Sequence, residues 1–114
     1  MKLITNDETI SRSELETMAG KMFGGLVKGV VDVSRGIMAV DAELHADEES
    51  FLLKSGSSQD DLWGINLYPD ETSEDFIEFD SMINVRPRQG NMSRGVEDAD
   101  LRSTIIGIVN DLVV

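Results

Sequence analysis

The chain has 114 residues, carries 22 Asp and Glu against 10 Lys and Arg for a formal charge of -12 at pH 7, and contains no cysteine. That length supports one core rather than two. The missing cysteines exclude disulfides, thiolate metal sites and a cysteine nucleophile, and the charge sets the molecule's own field against nucleic-acid phosphates and anionic membranes. A single domain over residues 1–114 is expected. A cytoplasmic location is expected too, because the opening Met1 to Thr9 has no apolar signal core and no segment approaches the roughly 20 apolar residues that a bilayer demands.

Leu15, Met18, Ala19, Met22 and Phe23 fall at helical spacing, with Ser11 and Glu14 as a capping box and Gly24-Gly25 as the stop. Strands follow over about 26–33 and 37–44, joined through Ser34-Arg35-Gly36 as a hairpin. Residues 47–54 read as a short helix with acids in its first turn and Lys54 in its last. A second hairpin pairs residues 63–68 with 76–86, and a final helix over about 98–112 places Leu101, Ile105, Ile108, Val109 and Leu112 on one face. The fold class is therefore α+β, in the order α-β-β-α-β-β-α, with a four-stranded antiparallel sheet whose helices cover one face.

Alternation along the strands gives the sheet two unlike sides. One is apolar, with Val27, Val31, Met38, Val40, Trp63, Ile65 and Leu67 among its members. The other is polar and open, carrying Lys28, Asp32, Asp41, Glu43, His45, Asn66, Tyr68, Glu78, Asp80, Asn84 and Arg86. A solvated sheet face accounts for such polarity without any function.

Within that polar side, Glu43, His45 and Asp47 stand at alternate positions near a strand end, a mixed N/O set suited to a divalent metal such as zinc, manganese or non-haem iron. The competing reading makes Asp47 a helix cap and His45 an ordinary structural donor. His45 is the only histidine. Asp60 and Asp61 could add carboxylates beside Asp41 or Glu43, but their loop spacing is not diagnostic.

Residues 86–94, Arg-Pro-Arg-Gln-Gly-Asn-Met-Ser-Arg, hold three arginines and no acid in an otherwise acidic chain. Arg86, Arg88 and Arg94 could fork onto a phosphate or carboxylate, with Asn91 in the same loop and Asn66 and Asn84 on the polar side as further hydrogen-bonding partners. Against this, Glu97, Asp98 and Asp100 already supply anions to the following helix, and the arginines have ample acids of their own to neutralise. There is no P-loop, no GxGxxG fingerprint and no G-x-S-x-G elbow.

Five segments carry a resemblance: Phe23 to Val33, the run from Glu43 through Ser50, Gly56 to Pro69, Ile77 to Pro87, and Asn91 to Asp98. Together they resemble a family of short bacterial and archaeal proteins catalogued as a domain of unknown function. The resemblance implies a prokaryotic setting and supplies no activity, cofactor or site residue.

Two functional classes follow. The first is a small interaction or regulatory module that self-associates or takes a protein partner through its polar face, exposed edges and six methionines. The second is a metal-dependent hydrolase or a binder of small anionic ligands, with Glu43, His45 and Asp47 as metal ligands and the Arg86 to Arg94 loop as clamp. The first ranks ahead because one histidine, no cysteine and no nucleophile motif leave a poor catalytic kit. Whether the chain is an enzyme stays open.

Overall fold

A computed structural model describes residues 1–22 and 24–114, without the Ser73 side chain. Its regular elements are strands β1 (Lys2–Ile4), β2 (Val27–Asp32), β3 (Ile37–Val40), β4 (Leu62–Leu67) and β5 (Ile77–Glu78), and helices α1 (Arg12–Ala19), α2 (His45–Lys54) and α3 (Ala99–Leu112). The fold is α+β, as expected. The sheet, however, has five strands, not four, in the antiparallel order β1-β3-β2-β4-β5. The extra strand is β1, which pairs Lys2 with Val40 and Ile4 with Met38. Three residues give no periodicity to read, which is why alternation misses it.

The helices also cover both sides rather than one. Ile10, Leu15 and Ala19 from the α1 region and Ile105, Val109 and Leu112 from α3 pack on Val31, Met38, Val40, Trp63, Ile65 and Leu67. On the opposite side, Leu52 of α2 and the 3-10 turn Met82–Asn84 close over Val30, Ile37, Ala39 and Leu62. The polar side is thus covered where its inner positions are Val30, Ala39 and Leu62, and only its margins stay open.

Local chemistry sets the element ends. Ser11 caps α1 by accepting from the Glu14 N–H at 3.0 Å, and its hydroxyl donates to Glu14 Oε1 at 3.4 Å. The helix stops at Ala19 with Gly20 as cap, before Met22 and the Gly24-Gly25 pair, and Phe23 lies outside the described residues. Strand β3 ends at Val40 rather than Leu44 because Asp41 takes φ 72°, a left-handed turn that a strand cannot continue. The expected strand over 76–86 shrinks to Ile77–Glu78, since Ser81 caps the 3-10 turn that follows.

Where that strand is missing, side chains finish the edge of β4. Asn84 accepts from the Gly64 N–H at 2.8 Å and donates to the Gly64 carbonyl at 2.9 Å, reproducing with one amide what a neighbouring strand would supply. The Arg86 guanidinium donates to the carbonyls of Leu62, Gln59 and Ile83, and lies 4.2 Å from the Trp63 ring centroid. This close approach demands a glycine: a Cβ on residue 64 would stand 2.5 Å from the Ser81 Cβ.

Candidate functional site

The turn at Asp41 throws the chain off β3 and back over the sheet, so that α2 begins above β2 and β4. Leu44 occupies its N-cap position without a side-chain hydrogen bond, and its carbonyl accepts from the Asp47 N–H at 3.1 Å. His45, the first helical residue, places Nε2 2.8 Å from the Ile65 carbonyl. A carbonyl only accepts, so Nε2 carries the hydrogen and Nδ1 of the neutral ring is left as an acceptor. Burial holds the His45 pKa below its ordinary value against the Ile65 bond, and Lys28 and Arg94 push it the same way. At neutral pH the ring is uncharged.

His45 lines a cavity of about 220 Å³ together with Lys28, Ser81 and Arg94. Lys28 comes from β2 and donates to the Glu43 carbonyl at 2.8 Å, with no carboxylate in contact among the described residues. Arg94 donates from Nε to Asp80. Its two terminal nitrogens make no protein hydrogen bond among the described residues. Beside Lys28 in the sheet register is Asn66, whose Nδ2 donates to Glu78 and to the Asp80 carbonyl. Those two acceptors fix the amide's orientation, and its buried Oδ1 has no donor among the described residues. The cavity thus combines two cations and a neutral imidazole acceptor, while the amide oxygen of Asn66 is buried and is not on its lining.

The other expected anion-binding residues are engaged by the protein's own groups. Arg86 is buried on the β4 edge, and burial lowers its pKa. Arg88 pairs with Asp60 at the surface. Asn84 serves Gly64 and the Arg94 carbonyl, while Asn91 donates to the Asn84, Ser93 and Gly95 carbonyls and accepts from the Glu97 N–H. Of the basic island, only Arg94 reaches the cavity.

The geometry does not gather Glu43, His45 and Asp47 as metal ligands. Among the described residues no three of His, Asp and Glu are placed to hold a metal ion. Alternation required a strand through position 45, whereas the strand ends at Val40 and His45 opens a helix. Glu43 and Asp47 instead line a separate, wider depression with Asp41 and Lys54. Lys28 was visible on the predicted polar side but was not singled out, because a lysine on a solvated face is unremarkable. Its position opposite Asn66 and below α2 depends on the sheet order.

One buried acid escaped sequence reading. Glu48, four residues into α2, is fully buried; Oε2 accepts from the Ala42 N–H at 3.0 Å and Oε1 has no partner among the described residues. Burial raises its pKa to about 9, overriding the Ala42 hydrogen bond. It is a neutral carboxylic acid at pH 7. In sequence it sits in the run Asp47-Glu48-Glu49 and looks like one more favourable charge at a helix start.

No helix is long and apolar enough to cross a membrane among the described residues. No curated protein and no solved structure matches the chain. The profile of DUF5674, described as a protein of unknown function, matches residues 3–112, and the chain belongs to that family.

Proposed function

We propose that the protein is a binding module for a small oxyanion that itself carries a proton, such as a phosphate monoester or inorganic phosphate. The observation that carries the proposal is the placement of Lys28 and Arg94 around a neutral His45 whose tautomer is fixed by Ile65. Two cations attract the anion, and the start of α2, which has no side-chain cap, adds its dipole. The Nδ1 lone pair repels a bare anionic oxygen and accepts from a hydroxyl. Asp80 and Asp47 oppose the attraction in part, so affinity is modest and short range. Ser81 is not a nucleophile in this reading: its hydroxyl already accepts from the Ile83 N–H at the 3-10 turn.

The test is a comparison of phosphate with sulfate, which has no proton to donate across pH 5 to 8. Amide shifts at Leu44 to Asp47 under phosphate at pH 7.5, with smaller ones under sulfate, are expected. The preference shrinks toward acid pH, the direction in which His45 gains a proton and becomes a donor, and pH 5.5 is the second point measured. Lys28→Met and Arg94→Met each weaken binding. Absence of any shift at Ala46 under millimolar phosphate at both pH values rejects the reading.

Leu44 and Met82, 55% and 65% exposed, stand at the rim of this same cavity. They favour a second reading in which the anionic group is presented by a protein partner whose apolar residues cover the rim. Leu44→Ser and Met82→Ser then cost affinity for that partner while leaving free phosphate binding unchanged.

A further inference from the structure

On the other side of the sheet, α1, α3 and the segment around β5 enclose a separate cavity of about 470 Å³. That volume lies within the roughly 300–1,000 Å³ range of small-molecule sites. Its walls are apolar, formed by Phe76, Ile77 and Phe79 from one side and Ile106 of α3 from the other. Three polar groups interrupt them: the Arg12 guanidinium, the Glu74 carboxylate and the Asn110 amide.

Arg12 is the unusual member. It is the first residue of α1, where the helix dipole disfavours a cation. In a chain with 22 acids it has no carboxylate partner among the described residues. It donates from Nη1 to the carbonyls of Pro69 and Glu71, each at 3.0 Å, and its guanidinium carbon stands 4.1 Å from the Phe76 ring centroid. Both contacts fix the plane of the fork, and Nε and Nη2 donate to no acceptor among the described residues.

We propose that this cavity binds a free apolar α-amino acid, of the leucine or phenylalanine class. Its carboxylate meets the spare donors of Arg12, its ammonium meets Glu74, and its side chain lies against Phe76, Phe79 and Ile106. Charge complementarity selects this occupant: a simple fatty acid leaves Glu74 facing an apolar or anionic group, and a simple amine leaves Arg12 unmatched. The site shares no residue with the His45 cavity and stands or falls independently of the proposed function.

Leucine, 4-methylpentanoate and 3-methylbutylamine, titrated into the methyl-labelled full chain, separate the contributions, since the second probe lacks the ammonium and the third the carboxylate. Leucine should shift the Ile77 and Ile106 methyls and the Phe76 and Phe79 rings, the acid more weakly, and the amine least. Arg12→Met should lower leucine affinity by at least about tenfold, as loss of a charge-assisted hydrogen bond does. Glu74→Gln should bring leucine and 4-methylpentanoate to equal affinity. Ile106→Trp, an exposed substitution on α3, should block all three probes without disturbing the core. Leucine that moves none of these signals at millimolar concentration overturns the proposal. So does an amine that binds as well as leucine, or an Ile106→Trp chain that still binds it.

Discussion

The two sides of the sheet are built from different materials. Under α1 and α3 the packing is almost entirely hydrocarbon, from Ile4 and Ile10 through Trp63 to Leu112. Under α2 the apolar cluster is small, namely Val30, Ile37, Ala39, Leu52 and Leu62. Around it lie the buried polar groups Asp32, Glu48, Asn66, Asn84 and Arg86. Hydrophobic burial is insensitive to pH, whereas a buried carboxyl or imidazole ties stability to its proton. One side therefore holds the fold, and the other makes it responsive.

The largest expected effect tests the hydrocarbon side. Leu112→Ala, at a fully buried α3 position, should cost about 3 kcal/mol through lost transfer energy and a cavity. In urea denaturation the loss should be the same at pH 5.5 and pH 8. A loss that changes with pH would mean that the two sides are coupled through the sheet.

Next comes Glu48, which should make stability fall as pH rises. Its folded pKa of about 9 exceeds the ordinary 4.5. The folded chain thus holds one proton more than the unfolded chain between those values. The contribution is fully present below about pH 4.5 and is lost as pH climbs through 9, at up to about 1.4 kcal/mol per unit. Glu48→Gln keeps the shape, removes the titration and should stabilise the protein by about 2 kcal/mol at pH 6, with little gain at pH 4.5. His45 has the opposite sign: its pKa is lowered on folding, so its contribution is present above pH 6.5 and is lost as pH falls below it. In the Glu48→Gln chain that second slope should stand alone, with stability rising from pH 5 to 6.5. A flat profile there would remove His45 from the responsive side.

A smaller change probes the substitute edge. Asn84→Ala should cost about 2 kcal/mol, because it strands the N–H and C=O of Gly64 in a buried place. Amide exchange at Gly64 should accelerate far more than at Ile65, which bonds into the interior of the sheet. Equal acceleration would show that the whole strand, not its edge, depends on Asn84.

These residues also mark what the sequence could tell. Helices α1 and α3 were readable because their apolar residues repeat at helical spacing over two or more turns, and β2, β3 and β4 because they are short apolar runs between turn signals. The second layer was not readable. Val30, Ala39 and Leu62 alternate with Lys28, Asp32 and Asn66, and nothing local says whether a helix lies over them. Asn84 and Arg86 looked like outward residues of a strand, yet their side chains replace the strand. Arg94 and His45 stand out in the sequence and line one cavity, but their companion Lys28 depends on which strand lies beside which. Spacing carries no information about that.

The smallest prediction concerns the residue that separates the layers. Asp41 holds φ 72°, which costs a side-chain-bearing residue about 1 kcal/mol, less for Asp than for most. Its charge also raises the Glu48 pKa. Asp41→Gly removes strain and charge together, at the entropic cost of glycine in the unfolded chain, so the net gain should be about 0.5 kcal/mol. Asp41→Asn removes the charge and keeps a residue that tolerates the left-handed region. If strain dominates, Asp41→Gly stabilises more than Asp41→Asn, and both gains persist in a Glu48→Gln background. If charge dominates, the two variants match each other and lose their effect once Glu48 no longer titrates. The double-mutant cycle thus decides whether the turn that starts the second layer is coupled to the buried acid beneath it through its backbone or through its carboxylate.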